Sequence, residues 1–187
     1  MAKINLNNFF SKKPDIKYKC AKRAIAISQS APQELYQDFD FFPQFLDGPN
    51  KILKWTATVV IGNLSKVDSQ NKVDKYIEVF FGFLCDKGLV TAANAIKALS
   101  DIAKNKPQHQ EVILKNLLNV EKAVFYSKGQ VSPECRNVAV GAVLDSLEKF
   151  GENVCRKKEV RDFLKRQTKN TRPKVRQKAE NLLKHYV

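Results

Sequence analysis

The sequence predicts an all-α fold, a superhelical stack of about four to five helix pairs. An amphipathic helical motif recurs along the chain at intervals close to 40 residues, and proline precedes most of its copies. No stretch shows the alternation of apolar and polar residues, bounded by turns, that is typical of strands. We therefore expect little or no sheet, and a single repeat domain that extends over residues 1–187.

The recurring motif is a helix with a small residue at its centre. In the copy that begins at Pro173, the residues Val175, Ala179 and Leu182 share one helical stripe. The small residues of the five copies are Cys20, Ala57, Ala95, Ala139 and Ala179. Their intervals of 37, 38, 44 and 40 residues lie close to the period of helical-repeat units.

Each interval leaves room for one partner helix between successive copies. The amphipathic stretches available for these partners are 32–46, 69–85, 107–125 and 154–167. Proline fits a helix start, because the first helical amide has no intrahelical acceptor. The prolines at predicted starts are Pro14, Pro49, Pro133 and Pro173. Glycine eases a positive φ in turns, and the predicted turns contain Gly48, Gly88, Gly129 and Gly151.

The pattern Pro-x-Val-Arg-x-x-Ala-x-x-x-Leu resembles the second helix of a HEAT repeat, and related copies cover nearly the whole chain. In that family the second helices usually line the concave face of an armadillo-like superhelix. The resemblance also implies a ladder, in which the basic residue of the motif binds an acidic residue in a turn of a neighbouring repeat. The basic residues at that position are Lys17, Lys54, Arg136 and Arg176.

Positive charge is concentrated at the two ends of the chain. The formal net charge is +14, from 33 basic and 19 acidic residues. Residues 1–23 contain seven basic residues and one acidic residue, and residues 149–187 contain thirteen and four. The remaining chain has thirteen basic and fourteen acidic residues. This distribution favours a polyanionic partner, although polar terminal repeats also serve solubility.

The basic residues at both ends fall on predicted helix faces away from the core. Near the N-terminus, Lys12 and Lys13 precede a helix whose apolar stripe includes Ile16, Cys20 and Ile27. Near the C-terminus, Val160, Phe163 and Leu164 form such a stripe. The candidate polyanion-binding residues are Lys19, Lys22, Arg23, Lys157, Lys158, Arg161, Lys165, Lys169, Lys174 and Lys178.

Three aromatic residues are candidate contacts for a partner. Trp55 lies on a predicted long helix, where it either faces a ligand or packs between repeats. Phe41 and Phe45 lie beside a predicted buried stripe that consists of Leu35, Phe39, Phe42 and Leu46. These two rings, with acidic neighbours, either form a protein-binding patch or belong to the core.

The sequence contains no motif that predicts a catalytic centre, a metal site or a cofactor. Phosphate-binding glycine loops are absent, and only two histidines are present. The cysteines, which are Cys20, Cys85, Cys135 and Cys155, are too widely spaced for a CxxC pair, so we expect free thiols. No apolar run approaches the roughly 20 residues of a membrane span, and the N-terminus has no secretory pattern. We expect a cytoplasmic protein without a membrane partner.

Two classes of function follow from these features. The first is non-catalytic binding or scaffolding, in which a curved helical surface holds a nucleic acid or an acidic protein. The alternative comes from the HEAT resemblance, since some DNA glycosylases that act on alkylated bases are built from such repeats. Those enzymes use an aspartate together with aromatic residues, so the alternative requires an acidic residue beside Trp55.

Overall fold

The structure is a computed structural model that describes residues 4–186, and it is dominated by helices. The five long helices are α1 (Pro14–Ser30), α3 (Lys51–Leu64), α5 (Leu89–Asn105), α7 (Pro133–Phe150) and α10 (Pro173–Tyr186). The shorter ones are α2 (Gln33–Tyr36), α4 (Ile77–Leu84), α6 (Gln110–Leu118), α8 (Glu152–Cys155) and α9 (Lys158–Gln167). The all-α prediction is confirmed. Residues 1–3 and 187, the ends of the predicted domain, lie outside the described residues.

The long helices correspond to the five predicted motif copies and stack in chain order. Helix α1 packs on α3, α3 on α5, α5 on α7, and α7 on α10. The central small residues are all buried, from Cys20 with 6% exposure to Ala57, Ala95, Ala139 and Ala179 with none. One cluster of buried apolar side chains extends through the stack from Phe9 to Leu182. The repeat spacing read from the sequence therefore locates the contacts between repeats.

The partner segments are less regular than predicted. Segment 32–46 contains the single turn α2 and then 3-10 turns at Phe39–Phe41 and Pro43–Phe45. Pro43 has no N–H to donate to the carbonyl of Phe39, so an α-helix cannot continue there. The predicted stripe is nevertheless buried, and its members are Leu35, Phe39, Phe42 and Leu46. Segment 154–167 is likewise divided, between α8 and α9.

A short β-hairpin interrupts the succession of helices after α6. Strands β1 (Tyr126–Ser127) and β2 (Gln130–Val131) pair antiparallel. Lys128 and Gly129 connect them with φ angles of 51° and 80°, as a two-residue turn with two left-handed residues requires. Among the predicted turn glycines, Gly129 and Gly151 have a positive φ. Gly48 and Gly88 do not, so positive φ does not explain glycine at those two positions.

The contact between α3 and α5 has no space for a side chain at Gly62. A Cβ atom added there would lie 2.6 Å from Cα of Ala98 on α5. Such a distance requires one backbone to move away from the other. A glycine in the middle of a helix costs backbone entropy, and here the close helix contact compensates for that cost.

Replacement of Gly62 by alanine should lower the free energy of unfolding by roughly 1–3 kcal/mol, because the added methyl group overpacks the contact with α5. Gly82 is the matched control, since a Cβ there meets no atom within 4 Å. Gly82→Ala on α4 should be neutral or stabilising by up to about 1 kcal/mol. Urea unfolding of both variants measures the difference, and equal stability of the two would contradict this packing.

Candidate polyanion-binding surface

Helix α9 presents an apolar face to the stack and a basic face to solvent. Its buried residues are Val160, Phe163, Leu164 and Gln167, which recur at three- and four-residue spacing. The opposite side carries the exposed Arg161 and Lys165, and Lys169 is exposed in the turn that follows the helix. None of these three forms an ion pair with another described residue. We call Arg161, Lys165 and Lys169 the C-terminal basic stripe.

Three other predicted residues surround the stripe. Lys158 contacts Asp162 at 3.0 Å, and its side chain is still 83% exposed. The hydrogen bond from Lys158 lowers the pKa of Asp162. A surface pair of this kind contributes little to stability, so an anion can compete for Lys158. Lys157 is half-buried and Lys174 is exposed at the start of α10.

Lys178 forms ion pairs within the protein. Its ammonium group binds the carboxylates of Asp145 and Glu148 on α7, with a distance of 2.9 Å to Glu148. Burial on its own would lower the pKa of Lys178, but the hydrogen bonds with these carboxylates raise it. We therefore assign Lys178 to the contact between α7 and α10. Its predicted role as a phosphate contact came from helix spacing, which did not reveal the acidic pair opposite it.

The ladder implied by the family resemblance does not form, and that prediction is wrong. Within the part of the chain that the structure describes, the four motif residues make no salt bridge: Lys17, Lys54, Arg136 and Arg176. Lys54 instead lies over the ring of Phe83, with 4.9 Å between Nζ and the ring centroid.

Other basic residues join the last repeats. Arg166 binds Glu121 at 2.8 Å, and Arg172 binds Glu134. With Lys178, these residues attach the C-terminal pair of helices to the preceding repeat. Four carboxylates of the preceding helices are thus paired with basic residues of the C-terminal region, namely Glu121, Glu134, Asp145 and Glu148.

The N-terminal basic residues lie on and before α1. Lys19 and Lys22 are exposed and one helical turn apart, while Lys12 and Lys13 are exposed just before the helix. No ion pair involves these four lysines in the described chain. We call Lys12, Lys13, Lys19 and Lys22 the N-terminal basic group. The predicted candidate Arg23 is also exposed on α1.

The three aromatic candidates serve packing. The indole N–H of Trp55 donates to Oγ1 of Thr91 on α5 at 3.1 Å, and the side chain is half-buried. Phe45 is 8% exposed and Phe41 is half-buried. Their ring centroids are 5.3 Å apart, and both rings contact Phe9. Core packing, the alternative interpretation of all three residues, therefore accounts for their positions.

The glycosylase hypothesis requires an acidic residue beside Trp55. Asp101, a half-buried carboxylate on α5, lies ten residues beyond Thr91, or about 15 Å along the helix axis, and is remote from the indole. Burial raises the pKa of Asp101, although Lys97, Lys149 and Lys104 act in the opposite direction. Asp86 is nearer, since a Cβ atom added at Gly88 would lie 3.1 Å from its Oδ1 and 3.9 Å from Oγ1 of Thr91. The packed indole, whose N–H already donates to Thr91, is the observation that speaks against the hypothesis.

The middle of the stack carries charges of both signs on its long-helix face. This face is the surface of α1, α3, α5, α7 and α10 that is turned away from the shorter helices. On α3 it includes Ile52, Trp55 and Asn63, and Lys51 is exposed at the start of the helix. On α5 and α7 the charged residues are Lys97, Lys104 and Lys149 together with Asp101, Glu134, Asp145 and Glu148. Three of these carboxylates are bound by Arg172 or Lys178 of the C-terminal region.

A buried charged cluster, which the sequence pattern did not reveal, connects three repeats. The side chain of Lys106 is 5% exposed, and its ammonium group lies 3.0 Å from Asp68 and 2.5 Å from Asp74. Asp68 is fully buried and accepts a hydrogen bond of 2.6 Å from the hydroxyl of Tyr36. His109 lies 2.9 Å from Asp74. The bonded pairs lie 32 to 38 positions apart along the chain, near the repeat period.

The cluster is satisfied internally. Among the described residues, no buried side-chain nitrogen or oxygen lacks a hydrogen-bond partner. Burial would raise the pKa of Asp68, but hydrogen bonds from Tyr36 and Lys106 lower it overall. Burial would lower the pKa of Lys106, but Asp74 and Asp68 raise it. The balance of these contacts indicates a structural connection between repeats and leaves no polar group open to a ligand.

The fold has a counterpart among solved structures. It is similar to a designed armadillo repeat protein with a TM-score of 0.59 and 15% identity, over 96% of this chain and 79% of that chain. The described chain therefore has an armadillo-like repeat fold. No protein-family model and no curated protein sequence matches the chain. No helix in residues 4–186 is long and apolar enough to cross a membrane.

The buried cluster predicts that replacement of Lys106 strongly lowers the stability of the fold. Lys106→Met should lower the free energy of unfolding by about 3–5 kcal/mol, because Asp68 would stay buried without its cation. Lys104→Met is the control, since Lys104 is exposed in the last turn of α5, two residues before Lys106. Urea unfolding at pH 7 makes the comparison. If the Lys106 variant is no less stable than the control, the cluster does not connect the repeats.

The same cluster predicts how stability depends on pH. Folding lowers the pKa of Asp68 and Asp74, so their contribution is complete above their unfolded pKa of about 4. It is lost as the pH falls through that value toward the lower folded pKa. Wild-type stability should therefore decline between about pH 5 and pH 2, and the decline should be smaller in Lys106→Met. Unfolding curves across this range would contradict the account if both proteins lost stability equally.

Proposed function

We propose that the protein is a non-catalytic binding module of the HEAT type, and that its ligand is a nucleic acid held through its phosphates. The observation that carries this proposal is the C-terminal basic stripe, in which Arg161, Lys165 and Lys169 are exposed and unpaired within the described chain. The HEAT assignment is supported by the shorter helical segment that follows each of the first four long helices. A cytoplasmic location is part of the same proposal.

The spacing of the stripe suits a regular polyanion. Residues four apart on a helix are separated by about 6 Å along its axis, which applies to Arg161 and Lys165. Lys169, in the turn after the helix, adds a third exposed cation nearby in the chain. Duplex DNA carries one charge per about 1.7 Å of its axis, and each neutralised phosphate releases condensed counterions. Contacts of this kind position a protein on the backbone without reading bases. We therefore expect binding that is independent of nucleic-acid sequence and sensitive to salt.

The stripe is also independent of the contacts that hold the fold. Its side chains point away from Val160, Phe163 and Leu164, the buried residues of α9. The basic residues that join the repeats are different ones, namely Arg166, Arg172 and Lys178. Charge on the stripe can thus be removed without loss of packing, which makes binding and stability separable by mutation.

Replacement of Arg161, Lys165 and Lys169 by glutamine should weaken binding to duplex DNA of any sequence. Loss of three phosphate contacts should flatten the slope of log affinity against log salt by about 2.7. The melting temperature should stay close to wild type, because these side chains lie off the core. Fluorescence anisotropy over a range of salt concentrations gives the slope.

The matched control replaces Lys66, Lys75 and Lys115, three exposed lysines of the middle repeats, by glutamine. It removes the same charge and should change the salt slope much less. If the two triple variants bind alike, the effect belongs to net charge and not to the stripe. If the wild type fails to bind duplex DNA or structured RNA even at low salt, an acidic protein becomes the better partner.

A further inference from the structure

We infer that the protein holds two separate nucleic-acid segments at once, one at each end of the helix stack. The inference rests on the proposed function, since it assigns the same phosphate chemistry to a second surface. That second surface is the N-terminal basic group, which consists of Lys12, Lys13, Lys19 and Lys22. Two features of the structure support two sites in place of one continuous site.

The first feature is the distance between the basic surfaces. Three long helices, α3, α5 and α7, lie between α1 and α10 in the stack. Packed helices are separated by about 8–10 Å, so the four steps from α1 to α10 span about 32–40 Å. This is several times the screening length of about 8 Å at physiological salt. The two basic surfaces therefore act as independent electrostatic sites.

The second feature is the direction in which the two surfaces face. Lys19 and Lys22 lie on the long-helix face of α1. The C-terminal basic stripe lies on α9, a partner helix, on the side opposite the residues that pack toward α10. A straight duplex along the long-helix face would reach Lys19 and Lys22 but would leave the stripe on another side of the molecule.

Two independent sites on one rigid stack bridge two nucleic-acid segments. Each site alone binds weakly, because it offers only three or four cations. On a long nucleic acid, occupation of one site raises the effective concentration of a second segment near the other site. The protein would therefore hold two distant parts of one molecule, or two molecules, side by side.

Energy transfer between two short duplexes tests the inference. One 16-base-pair duplex carries a donor dye and a second, unrelated duplex carries an acceptor, and both are mixed with the full chain at low salt. Anisotropy of each duplex measures binding alone. The variants are Lys19→Gln with Lys22→Gln, and the triple glutamine variant of the C-terminal basic stripe. The control is the triple glutamine variant of Lys66, Lys75 and Lys115.

We expect wild type and control to bring donor and acceptor together. Each end variant should still bind one duplex but lose at least most of the transfer. Transfer that persists in either end variant would overturn the inference, because one end would then suffice, for example through self-association. Wild-type binding at one duplex per chain without transfer would also overturn it, while the proposed function would stand. Absence of any binding would remove both.

Discussion

The close stacking of five long helices is the contact on which the rest of the structure depends. Each helix places a small residue at its centre, and these residues are completely buried or nearly so, from Cys20 to Ala179. Small side chains let neighbouring backbones approach, and at Gly62 the approach to Ala98 excludes even a methyl group. The shorter helices, the hairpin and the buried cluster around Lys106 are arranged around this row. A repeat alone could not bury its apolar face, so stability comes from the stack.

The stack also determines where charge is available. In the middle repeats, the shorter helices and both neighbouring helices cover each long helix, and exposed charges of both signs are mixed. At the C-terminal end, Arg166, Arg172 and Lys178 neutralise the carboxylates of the preceding repeats. The exposed basic residues that form no salt bridge include those on the outer side of α9 and the lysines on and just before α1. Contacts between repeats thus decide which cations of the basic C-terminal region are available to a ligand.

Periodicity in the sequence was sufficient to predict the long helices, because burial against two neighbours demands the same small and apolar positions in every repeat. It did not predict the partner segments in detail, since Pro43 interrupts one and the hairpin after α6 depends on a two-residue turn. The candidate surface was predicted only in part. Exposure of Arg161 and Lys165 follows from helical spacing, whereas the partners of Lys178 and Lys106 lie 30 or more residues away. Such pairs depend on how the repeats dock, which local patterns do not encode.

Lysine-selective chemical footprinting by mass spectrometry tests the central claim most directly, namely that nucleic acid binds at the ends of the stack. The full chain would be modified with and without saturating duplex DNA at low salt. If nucleic acid binds at the ends, duplex DNA should protect Lys165 and Lys169 on the C-terminal side, and Lys19 and Lys22 on α1, from modification. Lys66, Lys75 and Lys115 in the middle repeats should react unchanged. Protection centred on Lys97 and Lys104 of α5, with both ends still reactive, would contradict it.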